Sequence, residues 1–273
     1  MDLLIEKLDS SRVLLSQYEV LVTEFEEGAP VIERNATQLE QRNGSIDFGG
    51  WHKSKTINVS GYYRAESQDD EEALREKLFA VLCDPNGYYI MQLKTDVYAD
   101  YERPGQHVGN YFDRINNSAS HKRFLVYTEE PEIEFVGAIN GTLLYKLSVE
   151  FTTMKLPYGE TVPANIAIAN DYIPYIGTVP CNQLEQQFIV RFTAKATANS
   201  LKITLNNVEL TYSGSVKVGD VFQFSGFSYV QNGINIVAKT NKQYFELLPN
   251  ISNTVSTSVN GSIELLNFQN LFA

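Results

Sequence analysis

Alternation between apolar and polar positions dominates the chain. In residues 56–65, Ile57, Val59 and Tyr63 share one face of an extended segment, and polar side chains share the other. The run "YKLSVEF" at residues 145–151 has the same period of two. This pattern predicts half-buried strands, each with one face toward a core.

Further strands are predicted wherever the same alternation recurs between turn residues. In the first part of the chain they are residues 20–25, 88–94, 123–128 and 132–137. Later they are residues 187–194, 201–212, 219–230, 234–240 and 261–268. Short, evenly spaced strands of this kind are typical of antiparallel sandwiches or barrels.

One segment, residues 67–83, has the period of a helix. Ser67 with Asp70 three residues later fits a capping box, and acidic residues fill the first turn, where the helix dipole favours them. Leu74 and Leu78 begin an apolar stripe that continues one turn later. The sequence "DPNG" then ends the helix.

The stretch from Arg42 to Arg64 holds the single tryptophan, Trp51, next to His52. It is predicted as one glycine-turned strand of a first sandwich. Neighbours in a strand point to opposite faces, so Trp51 and His52 are not expected to share a site. Trp51 is therefore interpreted as a core or inter-subunit residue. Replacing it with alanine is expected to impair folding or assembly.

Charge divides the chain into two parts. Residues 1–160 hold 16 Lys and Arg against 27 Asp and Glu, whereas residues 161–273 hold six of each. We therefore expect two domains with these bounds, and the segment rich in Pro, Gly and Asn at 157–180 is the predicted linker. The acidic first part disfavours DNA binding, because phosphates are repelled. The polar, tyrosine-rich residues 95–122 are predicted to be a projecting loop or hairpin.

Compartment and redox state follow from simple features. The acidic start "MDLLIEKLDS" differs from a signal peptide, and no apolar run approaches the roughly 20 residues that span a bilayer. We expect synthesis in the cytoplasm, without membrane association, unless the protein leaves inside a larger object. Cys83 and Cys181 are expected to be buried thiols.

Catalytic and cofactor motifs are absent from the sequence. His52, His107 and His121 form no HxxxH or HExxH pattern, and no GxSxG, GxxxxGK[ST] or GxGxxG occurs. We therefore expect no catalytic, cofactor or metal site. A carbohydrate-binding adhesin remains an alternative, although residues 161–273 contain no Trp or His and only Arg191 as arginine. A glycosidase or peptidase that cuts the cell wall is a third possibility, which would need an isolated, partly buried carboxylate pair or a metal triad.

The order of these features resembles the distal tail proteins of siphophages. The resemblance is carried by "IERNATQLEQRNGSIDFGGWHKSKTINVSGYYR", then by the acidic-capped helix ending "LREKLFAVL", and by "GYYIMQLK" and "LLYKLSVEF". In the second part it is carried by "VKVGDVFQF" and by Phe245, Leu248 and Pro249. Asn250 replaces the family's usual glycine and is also suited to a left-handed turn.

The resemblance implies a mainly β fold and a structural role. Residues 1–160 would be a β-sandwich with one helix and a projecting β-hairpin, and residues 161–273 a galectin-like antiparallel β-sandwich. Six copies would form a ring at the tail tip of the virion, between the tail tube protein and the hub or tail-associated protein. Receptor-binding proteins are possible further partners, and DNA would pass through without specific binding. From their aromatic character, the candidate subunit-interface residues are Trp51, Tyr62, Tyr63, Tyr98, Tyr101 and Tyr111.

Overall fold

The computed structural model describes residues 1–41, 43–94 and 118–273. Within these residues the chain is mainly β, with one α-helix, α1 (Gln68–Leu82), and the strands pair antiparallel. The predicted fold class, mainly β with a single helix in the first part, is confirmed. The chain divides into two compact units, Met1–Gly159 and Glu160–Ala273.

Unit 1 is built on one nine-stranded sheet. The described residues of unit 1 contain the strands β1 (Asp2–Lys7), β2 (Arg12–Leu14), β3 (Leu21–Glu27), β4 (Val31–Thr37), β5 (Ile46–Ser54), β6 (Thr56–Ala65), β7 (Tyr88–Lys94), β8 (Ser118–Ala119), β9 (Phe124–Tyr127), β10 (Glu132–Ile139) and β11 (Thr142–Thr153), and all of them except β4 and β5 belong to this sheet. The order in the sheet is β2-β1-β7-β9-β11-β6-β3, with β10 paired to β11 and β8 to β7. Strands β4 and β5 form a separate two-stranded sheet.

The pairing of β6 with β11 organises the core of unit 1. It is continuous from Thr56 opposite Thr152 to Ala65 opposite Leu143. The apolar face predicted from the alternation is buried in both strands. Gly61 lies within this face because β3 passes close to it, and a Cβ there would lie 2.7 Å from the carbonyl oxygen of Leu21.

Helix α1 is capped as predicted. The Asp70 N–H donates to Ser67 Oγ at 3.1 Å, and Leu78 and Leu82 are fully buried. Glu71 faces the sheet, where it accepts from the Tyr63 hydroxyl at 2.9 Å and pairs with the Arg75 guanidinium at 2.7 Å. The helix is therefore fixed to β6 by polar as well as apolar contacts.

Unit 2 contains two larger sheets. Its strands, after β12 (Gly159–Glu160) at the unit boundary, are β13 (Ala164–Ala167), β14 (Tyr172–Ile173), β15 (Cys181–Asn182), β16 (Ile189–Ala194), β17 (Ala198–Leu205), β18 (Val208–Val216), β19 (Val221–Phe224), β20 (Tyr229–Gln231), β21 (Ile234–Asn235), β22 (Glu246–Leu247), β23 (Asn253–Thr257), β24 (Gly261–Phe268) and β25 (Leu271–Phe272). The sheets are β13-β24-β16-β19-β20-β21 and β14-β23-β17-β18. Tyr212 and Phe222 meet across them, with ring centroids 5.3 Å apart. Asn250 has φ of +60°, the left-handed conformation expected for it.

Two predictions about organisation are wrong. Residues 157–180 are not a linker, because Ile173, Tyr175 and Val179 are buried in unit 2 and β13 pairs with β24. The stretch Arg42–Arg64 is not one strand, because β5 pairs with β4 and β6 belongs to the main sheet. Most of the predicted excursion at 95–122 lies outside the described residues. Within the described ranges no helix is long and apolar enough to cross a membrane.

The cysteines differ in environment, which corrects the expectation that both are buried. Cys83 at the end of α1 is exposed, whereas Cys181 in β15 is buried. Burial raises the pKa of the Cys181 thiol to about 12, so little of it is thiolate near neutral pH.

We expect iodoacetamide at pH 8 to modify Cys83 in the native protein and to modify Cys181 more than about a hundredfold more slowly. Burial raises the pKa of both thiols but far more for Cys181, each unit of pKa changes the thiolate population tenfold, and the covered sulfur of Cys181 is also shielded. Peptide mass spectrometry before and after unfolding in guanidinium measures both sites. Equal native rates would contradict the assigned burial, and Cys83→Ser is the control.

Candidate assembly surfaces

Strands β4 and β5 form a hairpin that exposes large apolar side chains. In the hairpin strands these are Val31, Ile32, Phe48 and Trp51, with Ile32 on the face opposite to Trp51, and we call the set the hairpin surface; Phe48 is 65% exposed and Trp51 52%. Within the described residues the two strands pair only with each other. A two-stranded hairpin is marginally stable alone, and several exposed large apolar side chains on one short element mark a contact site. The hairpin is therefore a candidate for subunit contact.

The two faces of the hairpin carry different chemistry. Trp51 lies opposite Glu33, and His52 lies opposite Ile32. Because these pairs are adjacent along both strands, Trp51 and His52 point to opposite faces, as predicted. The Lys53 ammonium pairs with Glu33 at 2.9 Å. The hairpin therefore presents its tryptophan beside an exposed ion pair.

His52 faces the body of unit 1. Its Nδ1 is hydrogen-bonded to the Tyr158 hydroxyl at 3.0 Å, and the two rings meet edge-on with centroids 5.6 Å apart. This histidine consequently connects the hairpin to the segment after β11.

A bulge bends the far end of the hairpin. The ladder slips between Arg34 and Ala36, and Gly49 in the facing strand has φ of +97°. Asp47 stabilises the bend by accepting from the Gly49 N–H at 3.0 Å and pairing with the Arg34 guanidinium. The hydrogen bond from Arg34 lowers the pKa of Asp47 below its ordinary value. Exposed polar contacts thus shape the end that carries Phe48.

A second apolar surface lies along β10. It consists of Phe135, Val136 and Ile139, together with Phe79 of α1, and we call it the β10 surface. The Phe135 ring packs 5.4 Å from that of Tyr145, which also lines the groove beside Phe79. In the described part of the chain β10 pairs only with β11. Its outer edge can therefore accept a further strand or a side-chain contact.

The outer face of the main sheet is acidic. One row of paired residues runs across four strands. In it Glu132 of β10 pairs with Ser148 of β11, Ser148 pairs with Ser60 of β6, and Ser60 pairs with Glu24 of β3. The carboxylates that line the groove on this side, which we call the acidic face, are those of Glu24, Glu26, Glu130, Glu132 and Glu150. Lys146 is the basic residue among them. Such a face repels anions, because its negative charges outnumber its positive ones.

The residues predicted as interface candidates occupy different environments. Trp51 is exposed on the hairpin surface, and Tyr62 is half-buried on the face of β6 opposite to the core. The expectation for Tyr63 is corrected, because its side chain is 1% exposed and stacks on Tyr145 at 5.4 Å. Burial raises the pKa of the Tyr63 hydroxyl. The candidates Tyr98, Tyr101 and Tyr111 lie outside the described residues.

The β10 surface is not among the features predicted from the sequence. Its signal was the adjacent pair Phe135 and Val136, which breaks the alternation of an otherwise half-buried strand. Ile32 and Phe48 were also missed, since a local pattern does not show that a hairpin leaves the sheet. Over the described ranges, no three or more His, Cys, Asp or Glu side chains are placed to hold a metal ion.

Comparison with known proteins connects this architecture to phage tails. The family model for the phage tail protein RIFT-related domain matches residues 11–153, more than half of the chain. The crystal structure of the SPP1 Dit protein is similar, with a TM-score of 0.67 and 11% identity over 100% of this chain and 99% of that one. That protein is described as a paradigm of the hub adsorption apparatus in phages that infect Gram-positive hosts.

Two weaker likenesses are to phage P2 baseplate structures in the activated conformation. The structure with calcium has a TM-score of 0.41 and 7% identity, and the structure with strontium has 0.40 and 8%. Each covers 98% of this chain and 97% of the other. No curated protein sequence matches the chain.

The family match covers β2 to β11, which includes the hairpin, α1 and the β10 surface. The SPP1 Dit structure shares the fold over the whole chain. The resemblance to siphophage distal tail proteins is thereby confirmed, and the chain belongs to the family of phage tail proteins with a RIFT-related domain.

Proposed function

We propose that the protein is the distal tail, or baseplate hub, protein of a long-tailed phage. Six copies form a ring that joins the tail tube to the tail-associated protein and lets DNA pass. The role is structural and not catalytic. The observation that carries this proposal is the presence in unit 1, within the family-matched region, of two separate exposed apolar surfaces.

A closed ring needs two different surfaces on every copy. In a head-to-tail contact one surface of a subunit meets another surface of its neighbour, so a single self-complementary patch does not suffice. The hairpin surface and the β10 surface fulfil this requirement. We assign the first as the projecting partner and the second as the receiving one, because the hairpin is a two-stranded extension and β10 is an edge of the main sheet.

The acidic face is the proposed lining of the channel. Its five carboxylates line one groove on one side of the sheet, with Lys146 as the basic residue among them. Repulsion acts over about 8 Å at physiological ionic strength, so phosphates passing the wall would not bind to it. Such a wall guides DNA without holding it.

Unit 2 is proposed to be the galectin-like domain on the outside of the ring. Residues 161–273, which make up all of unit 2 except Glu160, carry no net formal charge, so this part of the chain has no need to repel DNA. We propose that unit 2 contacts other baseplate parts, including receptor-binding proteins where these exist. A sugar-binding role is less well supported, because its one arginine, Arg191, pairs with Glu264 at 3.4 Å and no Trp or His accompanies it.

We expect the purified full-length protein to form six-membered rings, visible by negative-stain microscopy and measurable by light scattering. Trp51→Ala should raise the concentration needed for rings about thirtyfold, the loss typical of a central aromatic contact. Since Trp51 is exposed in the single chain, its unfolding free energy should change by less than about 0.5 kcal/mol. The matched control is Leu8→Ala, an exposed apolar residue outside both surfaces.

Two results would count against this assembly. Rings of Trp51→Ala that form at the wild-type concentration would exclude the hairpin surface from the contact. A wild-type chain that stays monomeric at high concentration, together with intact tails when it is deleted from the phage, would exclude the hub role itself.

Intrinsic fluorescence offers a second measurement, because Trp51 is the only tryptophan. Its emission should shift to shorter wavelength as rings form, since the indole leaves water for an apolar contact. Dilution should reverse the shift at the same concentration at which rings dissociate. An emission spectrum identical in monomer and ring would show that Trp51 remains in solvent.

A further inference from the structure

The two chain segments that lead into and out of the hairpin lie next to each other at its base. It departs from the main sheet after Glu27, the last residue of β3, and returns through Lys55, which lies between β5 and β6. The Gly28 N–H donates to the Thr56 carbonyl at 2.9 Å and closes this base. Glycine is needed at position 28, because a Cβ would lie 2.8 Å from the Thr56 oxygen.

Lys55 is fixed in the core by its backbone. Its N–H donates to Thr153 Oγ1 at 2.9 Å, and its carbonyl accepts from the Thr153 N–H at 3.0 Å. The side chain is 1% exposed, and its ammonium lies 5.4 Å from the centroid of the Phe124 ring. A lysine this buried needs an anionic partner, and it has one, because the ammonium pairs with the Glu27 carboxylate.

Glu27 also binds a second lysine. The Lys122 ammonium lies 2.7 Å from its Oε2 and 2.8 Å from its Oε1. Burial alone would raise the pKa of Glu27, but the hydrogen bonds and charges of Lys122 and Lys55 outweigh it and hold that pKa below its ordinary value. One carboxylate therefore connects three chain segments, which are the end of β3, the return from the hairpin and the approach to β9.

We propose that Glu27 is a positioning residue, whose carboxylate bridges Lys55 and Lys122 and thereby fixes the direction in which the hairpin leaves unit 1. Without this anchor the hairpin would be held to the rest of unit 1 chiefly by the Gly28 contact and by the contact of His52 with Tyr158, and Trp51 would meet a neighbour in a wider range of orientations. The part of the proposal that concerns a neighbour rests on the proposed function. The anchoring itself belongs to the single chain.

Removing the carboxylate leaves a specific defect. In Glu27→Gln the Lys55 ammonium stays buried without an anionic partner, and it can find water only if the base of the hairpin opens. A hydrogen bond to a charged group contributes more than a neutral one. The free-energy cost of the substitution should therefore appear as local opening at the base of the hairpin and not as a general loss of structure.

The same unit supplies a matched control. Glu6 of β1 also bridges two cations, with Arg12 at 2.7 Å and Arg123 at 3.0 Å, and these two ion pairs involve no residue of the hairpin. Glu6→Gln removes an equivalent carboxylate without touching Glu27 or Lys55. Any effect common to both variants reflects the loss of a bridged ion pair in general.

The direction of the hairpin can be measured between two native residues. Trp51 serves as the energy-transfer donor, and Cys83, the exposed cysteine, carries a dansyl-type acceptor. At concentrations below ring formation, time-resolved transfer should show a wider distance distribution in Glu27→Gln than in wild type or Glu6→Gln. Hydrogen exchange in peptides covering 27–31 and 52–57 should be roughly tenfold faster in Glu27→Gln.

Lys122→Met is the milder second variant, because Lys55 keeps its carboxylate partner. It should give a smaller change in the same two measurements. The proposal is overturned if both variants keep the wild-type distance distribution and exchange, or if Glu27→Gln accelerates exchange equally throughout unit 1. These measurements use the single chain, so they test Glu27 even when no ring forms, whereas failure of ring formation in the wild type would refute the proposed function.

Discussion

The pairing of β6 with β11 is the constraint on which unit 1 depends. Their continuous register puts the apolar side chains of both strands on one face, and that face has to be buried. The opposite face then becomes largely polar and carries the carboxylates. Both proposed contact surfaces are extensions of the same pair, since β5 runs into β6 and β10 lies against β11. A slip of one residue would exchange the core with the acidic face.

Much of this was predictable because the relevant signals are local. The alternation in β6 and β11 and the Ser67 cap of α1 each depend on neighbouring residues, and each was confirmed. The period-two alternation in β6 places Tyr63 on the same face as Ile57 and Val59. An interface role for Tyr63 therefore conflicts with the pattern of its own strand. Tyr62, the neighbour on the polar face, was the consistent choice.

Other features depend on contacts between distant segments. Residues 52–56 are all polar and mark no change of face, so nothing local shows that the chain leaves one sheet and enters another at Lys55. The bridge from Glu27 to Lys55 and Lys122 joins residues that only the folded sheet brings together. The exposure of Trp51 likewise follows from where the hairpin stands and not from its own sequence.

The closed base of the hairpin has a consequence for how such a protein can change over time. Strands β3 and β6 pair directly, and the Gly28 contact with Thr56 seals the exit between them. Residues 29–54 are thus an insertion into a sheet that is complete without them. The entropic cost of a loop grows only slowly with its length. This insertion can therefore be lengthened, shortened or replaced, and the proposed contact surface changed with it, while the sheet that holds it stays the same.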